Sequence, residues 1–139
     1  MSSPQWGSPG TAVGAGPVTL TIPPVPAMVR VARLTASSIA NLAEFSIDEI
    51  DDIKIAVSEV VTLLIQQGDG GVVTLEFGTD GLFTIEGSTS AASLPLAHDD
   101  VALTAAVLSA VSDSHELTSA DDRIVIRVVK SSSSDSTQE

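Results

Sequence analysis

The stretch Asp51–Gly68, DDIKIAVSEVVTLLIQQG, decides how this chain folds. Its apolar residues recur every three or four positions, which is the period of an amphipathic α-helix. Glu59 interrupts the apolar sequence, and Leu63 follows four residues later on the same side of the helix. A carboxylate placed among aliphatic residues raises the question of whether Glu59 has a chemical role.

Both ends of this helix carry recognisable signals. Ser46 and Glu49 have the spacing of a capping box, in which each side chain accepts a hydrogen bond from the other residue's backbone N–H. Acidic residues fill the first turns, where the helix dipole favours anions. Gly68 is typical of the position just after a helix C-terminus. We predict a helix between Ser46 and Gly68 whose buried stripe consists of Ile47, Ile50, Ile53, Val57, Val60, Val61 and Leu64.

An earlier helix is predicted over residues 27–43. Its apolar stripe at helical spacing consists of Met28, Val31, Leu34 or Thr35, Ile39 and Leu42. Arg30 and Arg33 lie off that stripe on neighbouring turns. They are two of only six Lys and Arg residues in the chain.

The other segments complete an α+β pattern. Alternating or β-branched runs predict strands at 17–22, 71–78, 81–87 and 123–130, with a short strand at 115–117. A third helix is expected at 101–111, a hairpin turn at 79–81, a turn at 120–122, and irregular chain at 88–97. The order β-α-α-β-β-α-β-β favours a two-layer sandwich, with a mostly antiparallel mixed sheet and the helices on one face.

Composition limits the function. The 139 residues are 43% hydrophobic, enough for one domain with a real core. The absence of cysteine excludes a disulfide scaffold and fits a cytoplasmic location. The net charge of −12 argues against nucleic acid and against an anionic membrane surface. No segment looks secretory or membrane-spanning, and we expect disordered tails at 1–16 and 131–139 around a domain at 17–130.

Residues 32–65, ARLTASSIANLAEFSIDEIDDIKIAVSEVVTLLI, closely resemble the RsbW-type anti-sigma factors. These are serine-protein kinases with the histidine-kinase-like (GHKL, or Bergerat) ATPase fold. The family's signature helix reads roughly DIKIAVSEAxTNA. Residues 52–59 match it, as does Thr62, and Arg33-Leu34-Thr35 match the preceding helix in register.

The resemblance implies a function and its partners. Such a protein sequesters an alternative sigma factor, and a STAS-domain anti-sigma-factor antagonist competes for it. Active members phosphorylate that antagonist on serine with ATP and Mg²⁺, and the family usually forms homodimers. Arg33 matches an arginine that contacts partners in the family, and Arg30 would extend the same surface.

The resemblance also places the catalytic positions. Glu59 takes the position of the glutamate that activates the nucleophile, and Leu63 that of the asparagine that binds Mg²⁺. A leucine offers none of the oxygen ligands that Mg²⁺ requires. The adenine-binding aspartate falls at Ser88, with Glu86 in the alternative register. Two glycines of the phosphate-binding motif fall at Ala102 and Thr104, and the lid between them and Ser88 is shortened.

We therefore expect a binding module derived from a kinase, with a vestigial Glu59 and no ATP, magnesium or other cofactor. Two alternatives remain open: an active serine-protein kinase, and a module that binds only a STAS partner. His98-Asp99-Asp100 and Asp113-Ser114-His115-Glu116 lack a recognisable metal-ligand spacing, and helix capping explains their acids, so no metal site is expected.

Overall fold

The computed structural model describes residues 16–91 and 98–133. Over these residues the chain forms the predicted β-α-α-β-β-α-β-β order. The sheet has the strand order β1-β2-β3-β5-β4, and every pairing is antiparallel rather than mixed. The elements are β1 (Val18–Ile22), α1 (Met28–Leu42), α2 (Ile47–Gln67), β2 (Val73–Gly78), β3 (Leu82–Ser90), α3 (His98–Val111), β4 (Ser114–Ala120) and β5 (Arg123–Ser131).

The sheet has one buried and one open face, as expected for a two-layer α+β sandwich. Alternate residues of the strands are buried beneath the helices, because successive side chains of a strand point to opposite faces. The buried aliphatic and aromatic side chains of the sheet are Ile22, Val73, Leu75, Phe77, Phe83, Ile85, Ile124, Ile126 and Val128. On the open face Glu76 lies opposite Glu86, which lies opposite Arg127.

Helix α2 begins as predicted. The Ser46 N–H donates to Glu49 Oε1 at 2.7 Å, and the Glu49 N–H donates to Ser46 Oγ at 3.1 Å. The predicted stripe is buried from Ile53 onward, and Ala56 and Leu63 join it. Its first member is wrong, because Ile47 is 79% exposed. Ile47 is the first residue of the helix.

The packing face of α1 differs from the predicted stripe. The helix buries Ala32, Ala36 and Ala40, while Val31, Leu34 and Leu42 are exposed. Alanines four residues apart form a flat strip on one helix face, and this strip brings the α1 backbone close to α2. Met28 and Ile39 of the predicted stripe do pack against the core, but the prediction followed the larger apolar residues and left the alanines out.

Several boundaries also differ. Strand β3 continues to Ser90 through residues predicted to be irregular, β4 covers 114–120 rather than 115–117, and α3 begins at His98 rather than 101. Gly68 does end α2, but its φ of −77° is not left-handed. A Cβ at Gly68 would lie 2.7 Å from the Leu64 carbonyl oxygen, so lack of space is what requires glycine there.

The two hairpin turns lie close to the predicted places. Gly81 has a φ of 79°, which glycine adopts without strain. Between β4 and β5, Asp121 and Asp122 have φ values of 55° and 59°. Two consecutive left-handed residues are typical of the tight turn whose twist matches the flanking strands.

The end of β5 and the residues that follow it are held by three carboxylates. Lys130 Nζ lies 2.9 Å from Asp52 Oδ2, the Ser131 N–H donates to Asp113 Oδ2 at 2.6 Å, and the Ser133 N–H donates to Glu49 Oε2. Strand β5 thus runs one residue into the predicted tail. Residues 134–139 and 1–15 of the predicted tails lie outside the described residues.

Candidate functional site

Helix α2 contributes to two separate cavities. The first, the α1–α2 cleft, has a volume of about 550 Å³ and is lined by Arg33, Asp51, Lys54, Ile55, Ser58 and Glu59. The second, the α2–α3 pocket, has a volume of about 240 Å³ and is lined by Leu63, Val101, Thr104, Ala105, Leu108, His115, Leu117 and Ile126.

Glu59 and Leu63 therefore do not share a site, although they are one turn apart. Glu59 is half-buried in the α1–α2 cleft. Over the described ranges, no hydrogen-bond donor or cationic side chain is bonded to its carboxylate. Leu63 is only 1% exposed and lies with the apolar lining of the α2–α3 pocket.

Three cationic side chains gather at α1 and α2. A further cavity of about 360 Å³ adjoins the cleft and is lined by Arg30, Arg33, Leu34, Ser37 and Lys54. Lys54 lies 3.5 Å from Asp51. Within residues 16–91 and 98–133, no carboxylate oxygen lies within 4.0 Å of either guanidinium group. We call Arg30, Arg33 and Lys54 the cationic patch.

Lys54 is a residue of the cleft that the sequence analysis did not single out. It precedes Ser58 by four residues, so these two side chains are neighbours on one side of α2. That spacing was available as a signal. The convergence of Lys54 with the arginines of α1 depends on how the two helices pack, which the spacing does not give.

Ser88, the position matched to the adenine-binding aspartate, lies on the open face of the sheet. Its hydroxyl accepts a hydrogen bond from Arg123 Nη2 at 2.9 Å. The flanking Gly87 and Thr89 are buried beneath the helices, and a Cβ at Gly87 would lie 2.7 Å from Val60 Cγ1. Glu86, the alternative, is also on the open face, 3.7 Å from Arg127.

Thr89 is the polar residue that β3 presents beneath the helices. It is buried, and its hydroxyl lies 2.9 Å from the Val72 carbonyl oxygen and 3.3 Å from that of Gly71. The period-two pattern of Phe83, Ile85 and Gly87 continues to Thr89 and was a signal for its orientation. Its hydrogen bonds join the end of β3 to the chain that enters β2.

The two positions matched to the glycine motif, Ala102 and Thr104, lie on different sides of α3. Thr104 is buried and lines the α2–α3 pocket with Leu63, whereas Ala102 is exposed. The structure thus brings Leu63 and Thr104 together and leaves Glu59, Ser88 and Ala102 elsewhere. Mg²⁺ is bound by carboxylate, phosphate and water oxygens. The residues of the α2–α3 pocket, mostly aliphatic, do not fit a nucleotide–magnesium complex.

Two further observations concern the described parts of the chain. No group of three or more His, Asp or Glu side chains there is arranged to hold a metal ion. No helix among those residues has the length and apolar character needed to cross a membrane.

The chain was compared with known proteins at the level of sequence. No family model matches it. It is 41% identical over 64 residues to the serine-protein kinase RsbW of Listeria monocytogenes, a match that covers 43% of this chain and 41% of the relative. It is 37% identical over 65 residues to RsbW of Oceanobacillus iheyensis, covering 44% and 41% of the two chains. The chain thus spans less than half the length of these curated relatives.

A comparison of folds extends further along the chain. The structure matches the crystal structure of the RsbU and RsbW domains of Rv1364c from Mycobacterium tuberculosis with a TM-score of 0.63 and 17% sequence identity. That match covers 84% of this chain and 32% of the other. At this identity it demonstrates the fold alone. The predicted resemblance to the RsbW-type proteins is therefore confirmed, by sequence over less than half of this chain and by fold over most of it.

Proposed function

We propose that this chain is an anti-sigma factor that captures an alternative sigma factor in the cytoplasm by stoichiometric binding. A STAS-domain antagonist would release the sigma factor by competing for the same surface. The observation that carries the proposal is the cationic patch, in which Arg30 and Arg33 have no carboxylate partner among the described residues.

The patch is unusual within this chain. The other three cationic side chains are engaged: Arg123 with Ser88, Arg127 with Glu86, and Lys130 with Asp52. In a protein with a net charge of −12, these two guanidinium groups, which have no carboxylate partner within residues 16–91 and 98–133, are available to an acidic partner surface. Arginine is also enriched among the residues that dominate binding energy at interfaces.

Apolar side chains lie next to the patch. Leu34 is 55% exposed beside Arg33, and Ile55 is 44% exposed beside Lys54. Protein interfaces combine a desolvated apolar centre with surrounding polar contacts. The α1–α2 cleft therefore offers both kinds of contact to a protein partner. The STAS antagonist and homodimerisation rest on the resemblance to RsbW-type proteins.

Leu63 supports binding without phosphoryl transfer. Kinases that use ATP hold Mg²⁺ against the phosphates to neutralise the charge that develops during transfer. Leu63 stands where the resemblance requires a metal ligand, and its buried side chain has no oxygen. We propose that Glu59 is retained from a catalytic ancestor and no longer acts as a base.

The test is binding to the sigma factors encoded in the same genome. Purified protein should capture one of them with a defined 1:1 stoichiometry in a titration calorimeter. Arg33→Ala should weaken this complex by about tenfold or more, a loss of at least ~1.4 kcal/mol. Arg123→Ala is the matched control, because Arg123 is an exposed arginine on the open face of the sheet, away from the helices that carry the cationic patch.

Two results would reject this assignment. If no sigma factor co-purifies while a STAS protein does, the chain is a module for the STAS partner alone. If Arg33→Ala and Arg123→Ala leave the dissociation constant equally unchanged, the cationic patch does not form the interface.

An active kinase is the second candidate, and the carboxylate of Glu59, which lies in an open cleft without a bonded partner among the described residues, favours it. Titration with Mg-ATP separates the two candidates. We expect no saturable binding at micromolar concentration. Transfer of phosphate to a STAS protein that is lost in Glu59→Ala would establish the kinase instead.

A further inference from the structure

The α2–α3 pocket has the dimensions of a small-molecule site. Its volume of about 240 Å³ exceeds the ~150 Å³ of an engineered apolar protein cavity that stays dry and binds benzene. It is smaller than the ~300–1,000 Å³ of pockets that hold drug-sized ligands. A single-ring molecule with a small substituent is the class of ligand that matches this volume.

The lining of the pocket selects for an apolar ligand with one polar group. Six of its side chains are aliphatic: Leu63, Val101, Ala105, Leu108, Leu117 and Ile126. Thr104 and His115 are the two polar residues. Thr104 is only 6% exposed, and its hydroxyl has no hydrogen-bond partner among the described residues. No buried side-chain oxygen or nitrogen of the described residues lacks a partner, so this hydroxyl is reached by solvent, and a ligand that bonds to it gains affinity over one that does not.

The lack of charged side chains in the pocket disfavours ionic ligands. No Lys, Arg, Asp or Glu is among the lining residues, so a charged ligand has no permanently charged partner there. The net charge of −12 further disfavours the approach of anions. A neutral ligand therefore fits the pocket best.

We propose that the α2–α3 pocket binds a compact, neutral, single-ring molecule of the phenol class. Its ring lies against Leu63 and Leu108, and its one polar group bonds to the hydroxyl of Thr104. This inference does not depend on the proposed capture of a sigma factor, because no residue of the cationic patch lines the pocket. The two can therefore fail separately.

Phenol itself is the first probe. Titrated into ¹⁵N-labelled full-length protein, it should shift the amide resonances of α3, β4 and the second half of α2, and the shifts should saturate. Shifts that rise linearly without saturation, or that scatter over the whole surface, would overturn the proposal and indicate an adventitious additive only.

A substitution that fills the pocket provides the second test. Ala105 is a half-buried lining residue of α3, whereas its neighbour Ala106 is exposed and does not line the pocket. Ala105→Leu should weaken phenol binding at least about tenfold because the added carbons occupy the space of the ring. Ala106→Leu adds the same carbons outside the pocket and should leave the affinity unchanged. Equal affinities of the two variants would place the ligand elsewhere.

The polar contact is tested with pairs of ligands. Thr104→Val keeps the size of the side chain and removes the hydroxyl, so it should weaken phenol about fivefold, in line with one lost hydrogen bond. Toluene lacks a hydrogen-bonding group and should bind wild type and variant alike. An equal loss for both ligands would assign Thr104 a packing role only, and tighter binding of benzoate than of phenol would overturn the neutral-ligand class. The thermal midpoint of every variant shows whether it is folded.

Discussion

Glu59 and Leu63 lie one turn apart on α2, yet Glu59 faces the α1–α2 cleft and Leu63 faces the α2–α3 pocket. Successive residues of an α-helix rotate by about 100°, so residue i+4 is turned by about 40° from residue i. At the junction of three packed helices this rotation is enough to bring the two side chains into different environments.

Restoring an amide at residue 63 should therefore damage the protein without creating a metal site. Leu63→Asn removes a fully buried aliphatic side chain, which costs about 2–5 kcal/mol of unfolding free energy. Urea denaturation measures this loss. Thr62→Asn changes the exposed neighbour and should alter stability by less than about 0.5 kcal/mol. A Leu63→Asn protein that is stable and binds Mg-ATP would contradict our reading of the pocket.

Glu49 should make stability depend on pH in the acid range. Burial raises the pKa of Glu49, but hydrogen bonds from Ser46 and Ser133 lower it by more, to about 2. Because the folded-state pKa is depressed, its contribution is complete above the ordinary pKa of 4.5 and is lost as the pH falls towards 2.

The variant Glu49→Gln tests this assignment. It should lose about 1.5–3 kcal/mol at pH 7, the range for hydrogen bonds to a charged group. Chemical denaturation at a series of pH values should show the gap between wild type and variant closing as the pH falls from 4.5 towards 2. Glu116→Gln, on an exposed edge-strand residue, serves as the control. A gap that stays constant with pH would show that the charge of Glu49 is not what stabilises the helix start.

The alanine face of α1 predicts unequal effects of substitution at two nearby positions. Ala36→Leu inserts three carbons between α1 and α2 and should cost about 1–3 kcal/mol through overpacking. Leu34→Ala removes an exposed side chain and should change the unfolding free energy by less than about 0.5 kcal/mol. Thermal or urea denaturation distinguishes the two. If Leu34→Ala proved to be the more damaging substitution, the packing face described here would be wrong.

Gly87 should not tolerate a methyl group. A Cβ there would lie 2.7 Å from Val60 Cγ1 and 2.8 Å from Leu64 Cδ1, both on the buried face of α2. Gly87→Ala should therefore cost about 1–3 kcal/mol. Ser88→Thr adds one methyl group to the next residue, on the open face, and provides the matched comparison in the same denaturation experiment. Equal stabilities would mean that α2 moves freely away from β3.

How much of this protein was predictable varies from one element to the next. The start of α2 was predictable because Ser46 and Glu49 form a local hydrogen-bonded pair whose spacing is visible in the sequence. The packing face of α1 was not predictable, because alanine contributes little to hydrophobic periodicity yet is small enough to let two helices pack closely. The predicted strand ended at residue 87, too early, because Ser88, Thr89 and Ser90 are all small polar residues. The burial of Thr89 depends on the helices that cover it.

The candidate site divides in the same way. Glu59 and Arg33 were found through their places in a short motif. Lys54 lines the same cleft as Arg33 because of the way α1 packs against α2, and no local sequence pattern predicts that packing. Ser88 lies on the open face because of the register of its strand. A shift of one residue in that register would place Ser88 beneath the helices instead.

The contact between Glu49 and Ser133 joins residues 84 positions apart. A protein is synthesised from its N-terminus, so the first turn of α2 exists long before Ser133 has been added to the chain. Until then one oxygen of the Glu49 carboxylate has no protein donor and must remain hydrated. The last described residues of the chain thus complete the N-terminal cap of its longest helix, and a nascent chain that stops at Lys130 would carry that helix with its cap unfinished.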